Sequence, residues 1–129
     1  MTKQTALLSA PTSSLLIEVV NGALVIRHWG APILGQNHDI ALASRVSIAN
    51  SSWDEPQLPG LMRESSRGFL GRGSLSGHRN GKAWSTKFEV TDFHHQGNHC
   101  AVTLRDFHAE LEVAVTFDLD AFGVLIQKA

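Results

Sequence analysis

Residues 110–120 read ELEVAVTFDLD, and this alternation constrains the fold more than any other feature of the chain. Leu111, Val113, Val115, Phe117 and Leu119 point one way along an extended backbone, while Glu110, Glu112, Thr116, Asp118 and Asp120 point the other. A strand with one apolar and one wet face belongs in an antiparallel sheet that covers a core on one side. The preceding HCAVTLRDF, residues 99–107, is rich in strand formers, and His108-Ala109 would join the two as a tight hairpin. SLLIEVV (14–20) and ALVIRHW (23–29) flank Asn21-Gly22, a pair whose tolerance of positive φ makes it the strongest short-range hairpin signal. WSTKFEVTDFHH (84–95) predicts another strand, turning at Gln96-Gly97-Asn98; residues 40–48 predict a further one, and the final GVLIQKA the last. Apolar residues nowhere keep up the three-and-four spacing of an amphipathic helix. The fold class is therefore all-β, an antiparallel β-sandwich. The chain's 129 residues, 43% of them hydrophobic, suffice for one domain, 1–129, with one core.

Composition removes several function classes. Charged residues make up 18% and the formal net charge is -1, so the chain lacks the basic balance that nucleic-acid binding requires. No apolar run approaches the roughly 20 residues that span a bilayer, and no membrane partner is expected. Lys3 and Ala6-Leu7-Leu8 faintly imitate a signal peptide, but the apolar group is short, and Pro11 and the serines interrupt it. With a single cysteine, Cys100, unable to form an internal disulfide, this predicts a cytoplasmic protein. His94, His95 and His99 invite a metal-site reading, yet adjacent residues of a strand point to opposite faces. They are read as a solvated hairpin end, and neither a metal nor a cofactor is expected.

Residues 50–82 interrupt the run of strands. Loops of this length in a compact domain are usually functional or disordered. Trp53, Leu58, Leu61, Met62, Phe69 and Leu70 supply apolar anchors that favour an ordered one. The end of this loop runs into GFLGRGSLSGHRNGKAW (68–84), with five glycines beside Arg72, His78, Arg79 and Lys82. A phosphate cradle does not fit, because Ala83 follows Gly81-Lys82 where Ser or Thr is needed, and a strand comes next instead of a helix. Asp54 and Glu55 are consecutive, whereas glycoside hydrolysis needs two carboxyls facing across the scissile bond, about 5–9 Å apart. Cys100 has no evident base, and Ser65, Ser66, Ser74 and Ser76 lie in no nucleophile elbow. No catalytic residue is assigned. A sugar contact and a plain long turn remain.

Four phrases in order carry a resemblance: NGALVIRHWGAPI, SSWDEPQLPG, RGFLGRGSLSGHRNGKAWSTKFEVTDF and LRDFHAELEVAVTFDLDAFGVL. Together they resemble the amino-terminal β-supersandwich domain of glycoside hydrolase family 36, the α-galactosidases. His28-Trp29-Gly30 matches a phrase of the family's early hairpin, and Leu104, Asp106 and the strand from Leu111 to Phe117 match its late strand pair. The resemblance covers nearly the whole chain. It implies a non-catalytic accessory domain whose partner is the catalytic barrel of a parent chain, where the family's two catalytic aspartates reside. It also implies support of a homo-oligomer and a loop lent to the rim of a pocket for an α-galactoside-type sugar. The family's Gly-Asp-Phe-Arg-like phrase is not kept: its acid and arginine fall on Phe69 and Gly71. Trp53, Arg67, Phe69 and Arg72 are left as the candidate substrate-binding residues, since aromatic faces stack on sugars and guanidinium groups donate to hydroxyls.

The last strand reaches Ala129 without a polar tail, which predicts excision from a longer protein. The alternative is a free-standing carbohydrate-binding sandwich, with Trp29, Trp53 or Trp84 as stacking platform. A sandwich unrelated to sugars is the third reading, because one fold hosts many functions.

Overall fold

The computed structural model describes residues 4–33 and 60–129. Among the described residues seven strands follow in chain order: β1 (Thr5–Ser9), β2 (Ser14–Val20), β3 (Ala23–Gly30), β4 (Glu89–Gln96), β5 (His99–Asp106), β6 (Leu111–Leu119) and β7 (Leu125–Lys128). They form two antiparallel sheets, ordered β1-β2-β3 and β4-β5-β6-β7, so each sheet is a meander of consecutive hairpins. Among the described residues the one helical segment is a 3-10 turn, Ser65–Arg67, and no helix there is long and apolar enough to cross a membrane.

Turn chemistry sets the registers. Val20 pairs with Ala23, leaving Asn21 and Gly22 at φ 49° and 77° as a two-residue turn. Positive φ at both positions matches the twist of the flanking strands, as the sequence led us to expect. Gln96 pairs with His99 around Gly97 and Asn98, and there the glycine takes the positive φ, 57°. The β5–β6 hairpin also forms, but not through a two-residue connection. Asp106 pairs with Leu111, four residues make the turn, and Glu110 belongs to it at φ 54°. The Asp106 side chain is the reason: its Oδ1 accepts the N–H groups of His108 at 2.8 Å and Ala109 at 2.9 Å, closing a wider loop.

Two further differences from the sequence reading have similar causes. The strand expected from residue 84 begins only at Glu89. In the segment before it, side chains take the place of a ladder. The Thr86 carbonyl accepts from Ser66 Oγ, the Lys87 N–H reaches Asp106 Oδ2 at 2.8 Å, and the Phe88 N–H reaches Glu64 Oε1 at 2.8 Å. Conversely, residues 5–9, weighed above only as an export signal, form β1 against β2 from Thr5↔Glu18 to Ser9↔Ser14. The strand expected at 40–48 lies outside the described residues.

The two sheets face each other across one core. Ala6, Leu8, Leu15, Ile17 and Leu24 come from the first sheet, and Cys100, Val102, Leu104, Val115, Phe117 and Leu119 from the second. The alternation of residues 111–119 is thus realised, with Phe117 fully buried. Burying each such large side chain is worth about 1.5–3 kcal/mol. Phe88 closes the core from the end of the long loop. Burial also pushes the Cys100 thiol up to about 11. β2 is buried on both faces: Leu16 and Glu18 look away from the core, and Glu18 Oε2 meets Arg27 Nε at 2.6 Å.

Candidate functional site

The described part of the long loop, residues 60–82, is an ordered structure built from short closures. It enters along β3, where the Leu61 N–H donates to the Leu24 carbonyl at 2.7 Å. Residues 63–74 then form a ring closed at its base. The Arg63 N–H donates to Ser74 Oγ at 2.9 Å, and the Ser74 N–H returns to the Arg63 carbonyl at 2.9 Å. Gly68 sits inside the ring at φ 81°, a left-handed position that a side chain would strain.

Glu64 and Arg67 anchor this ring. Glu64 is buried, and its Oε2 accepts from Arg67 Nε at 3.1 Å while Oε1 holds the Phe88 amide. The Arg67 guanidinium also donates to the carbonyls of Phe88 at 2.6 Å and Asn21 at 3.2 Å. It therefore ties the loop to the β2–β3 turn and to the approach to β4. Of the four candidates named from sequence, Arg67 has its charge engaged by the protein. Phe69 is half-buried, lies under the Arg63 guanidinium at 5.7 Å, and crowds Gly71, where an added Cβ would meet its ring at 2.7 Å. Arg72 is exposed and makes no hydrogen bond or ion pair to the other described residues. Trp53 lies outside the described residues. The ring thus places Arg67, Phe69 and Arg72 on one short excursion, with Leu70 fully exposed at its tip.

A second feature follows the ring directly. Residues 78–82 are a miniature hairpin: Arg79 and Lys82 exchange backbone hydrogen bonds of 2.8 and 3.0 Å, and Asn80-Gly81 turn at φ 50° and 77°. The Asn-Gly pair that marked the β2–β3 turn is present here too, between flanks that are not strand formers. The Trp84 indole stacks on the His78 ring at 4.6 Å between centroids, 35° from parallel, and donates from Nε1 to the Gly81 carbonyl at 2.9 Å.

This hairpin walls a groove of about 310 Å³, lined by Leu75, His78, Arg79, Trp84, Thr86 and Leu111 among others. Its opposite wall is the start of β6 with Ala109 of the preceding turn. Asp106 fixes both walls, since one carboxylate oxygen holds the Lys87 amide and the other the turn amides. Burial alone would raise this carboxyl, but the three backbone N–H bonds outweigh it and hold the group below its usual range. Trp84 remains 70% exposed even with the His78 ring against it. Trp29, another tryptophan weighed as a platform, is 49% exposed on β3.

Two of the three histidines of β4 and β5 have separate partners. His95 Nε2 contacts the Gly97 carbonyl at 2.9 Å, and His99 Nδ1 pairs with Asp118 Oδ1 at 2.6 Å. Among the described residues no group of three or more His, Cys, Asp or Glu side chains could hold a metal ion.

An α-galactosidase of Escherichia coli aligns with 118 residues of the chain at 29% identity, covering 92% of the chain and 16% of that protein. The chain thus spans about a sixth of the length of the curated relative it matches. No family model and no solved structure matches it.

Proposed function

We propose that this chain is the non-catalytic accessory domain of an α-galactosidase-type glycoside hydrolase of family 36, packing against a catalytic barrel and supporting assembly of a homo-oligomer. One observation carries this reading: the similarity runs through almost the whole sandwich yet takes up only 16% of the E. coli enzyme. The chemistry of the described residues supports it. The buried carboxylates Glu18, Glu64 and Asp106 are held by Arg27, by Arg67 with the Phe88 amide, and by three backbone amides. Each is committed to the fold.

The loop is the part offered to the rim of the sugar pocket. Arg72 presents a free fork of donors and Phe69 an apolar face, Arg67 positions the ring, and Trp53 is the fourth contact proposed. The neighbouring groove, with Trp84 beside donors from Arg79 and Thr86, has the apolar floor and polar edge that a pyranose needs.

A chimaera tests the proposal. This chain replaces the aligned segment of the E. coli α-galactosidase, and cleavage of a chromogenic α-galactoside is compared with that of the enzyme lacking the segment. The expected result is activity restored in the chimaera and no cleavage by the isolated chain. Turnover by the isolated chain overturns the non-catalytic reading, and a chimaera no better than the deletion overturns the accessory one.

The second reading, a free-standing carbohydrate-binding sandwich, draws on the exposed face of Trp84 over its groove. Tryptophan fluorescence titrated with galactose and raffinose separates the two. A saturable response of the isolated chain favours the module, and a flat one favours a scaffold whose pocket is completed by the barrel.

A further inference from the structure

Two Asn-Gly turns occur in the described residues, and they are held very differently. Asn21-Gly22 closes a hairpin paired from Val20↔Ala23 to Ser14↔Gly30. The Arg67 guanidinium bonds the Asn21 carbonyl, and the Gly22 carbonyl accepts the Val90 N–H at 2.8 Å. Asn80-Gly81 closes a hairpin with one bridging pair, Arg79↔Lys82, on exposed residues. Ala83 follows at φ 55°, a left-handed backbone that strains an L-residue. The Gly81 amide N–H points at His78 Nδ1, 3.0 Å away.

We propose that Asn80 is a site of spontaneous, imidazole-assisted backbone cyclisation, with water as the co-reactant. His78 Nδ1 takes the Gly81 amide proton, and the Gly81 nitrogen forms a bond to Asn80 Cγ. The tetrahedral adduct collapses as the imidazolium returns the proton to the side-chain nitrogen, which leaves as ammonia. The resulting five-membered succinimide is opened by water at either carbonyl, giving an aspartyl or an isoaspartyl residue at position 80. No oxidant or reductant enters.

Geometry favours this turn over the other for two reasons. The attack requires the Asn ψ to swing away from its turn value. At Asn80 one bridging pair and a bond from the exposed Trp84 indole to the Gly81 carbonyl resist that swing, whereas at Asn21 a seven-residue strand, an arginine and the Val90 amide of β4 resist it. The imidazole supplies a base already in contact with the nucleophile, and positioned general bases contribute about 10²–10⁴-fold. The product places a carboxylate between Arg79 and Lys82, on the hairpin that walls the groove. The inference stands whatever ligand the groove takes.

The test ages the native chain at neutral pH and physiological temperature, followed by peptide mapping with a protease that spares Arg79 and Lys82. Succinimide, aspartyl and isoaspartyl forms are quantified at both asparagines. Conversion at Asn80 is expected to outpace that at Asn21 by at least about tenfold. In denaturant the two rates should converge, because the difference belongs to the folded hairpins. His78→Gln, checked by circular dichroism for an intact sandwich, is expected to slow Asn80 by a similar factor and leave Asn21 unchanged. Equal native rates at the two sites overturn the proposal, as does a folded His78→Gln chain that ages as fast as the parent. Should the variant not fold, the native-against-denatured comparison in the parent chain decides by itself.

Discussion

At the scale of single residues, Asp106 joins two stretches of the chain that are distant in sequence. Its carboxylate holds the Lys87, His108 and Ala109 amides, and so joins the approach to β4 to the β5–β6 turn. An amide at this position cannot accept at both ends, so Asp106→Asn leaves at least one of the three N–H groups facing another donor. The expected loss is about 1–3 kcal/mol in the free energy of unfolding at neutral pH. The sign of the pH effect follows from the lowered folded-state pKa. Below about pH 4, the ordinary carboxylate range, the unfolded chain takes up a proton that the folded chain refuses. The Asp106 contribution is therefore complete above that pH and is lost as pH falls through the lower folded-state value. Urea midpoints measured from about pH 7 to about pH 3 should show a shallower acid decline in Asp106→Asn than in the parent. A variant with the parent's slope would mean that other carboxylates dominate acid unfolding.

At the scale of elements, the loop ring 63–74 is held to the sandwich through Glu64 and Arg67, whose side chains are 2% and 14% exposed. Arg67→Met removes the cation and leaves a buried carboxylate with one amide donor, and breaking such a pair costs about 3–5 kcal/mol. Glu64→Gln combined with Arg67→Met removes the uncompensated charge and should recover part of that loss. A double-mutant cycle by chemical denaturation measures the coupling, and additive single losses would show that the ion pair contributes nothing specific. This anchoring also explains what the sequence disclosed. Asn21-Gly22 and the alternation of residues 111–119 were legible because their signals are local, two to nine residues long. Residues 84–88 have strand-like composition but do not extend β4, because the Lys87 and Phe88 amides are taken by Asp106 and Glu64, 19 and 24 positions away. The groove was illegible for the same reason, being assembled from the hairpin around Asn80-Gly81 and from a turn shaped by Asp106. Arg67 was picked out for its chemistry, and the contacts that engage that chemistry lie on two other elements.

At the scale of the whole molecule, the sheets are joined by more than their shared core. At one end Asn98 bonds Ser9 twice, accepting the Ser9 N–H at Oδ1 and donating from Nδ2 to the Ser9 carbonyl, both at 2.9 Å. Beside it the β1–β2 connection reaches the β6–β7 turn, through Thr12 Oγ1 to the Phe122 carbonyl at 3.0 Å and Ser13 Oγ to the Gly123 carbonyl at 3.1 Å. At the other end the Val90 amide bonds the Gly22 carbonyl. A sandwich pinned at both ends around a continuous core should unfold as one unit. Asn98→Ala deletes both bonds to Ser9 without touching a core side chain, so it should lower the urea midpoint by an amount worth about 1–3 kcal/mol. The slope with denaturant should stay the same, because the surface exposed on unfolding is unchanged. Of the three tryptophans, Trp29 reports from β3 and Trp84 from the segment before β4, so tryptophan emission weights regions that far-ultraviolet circular dichroism averages over. Coincident transitions in the variant support a single cooperative unit joined by its core. A variant whose two probes separate would show that the clamps, and not the core, make the two sheets one domain.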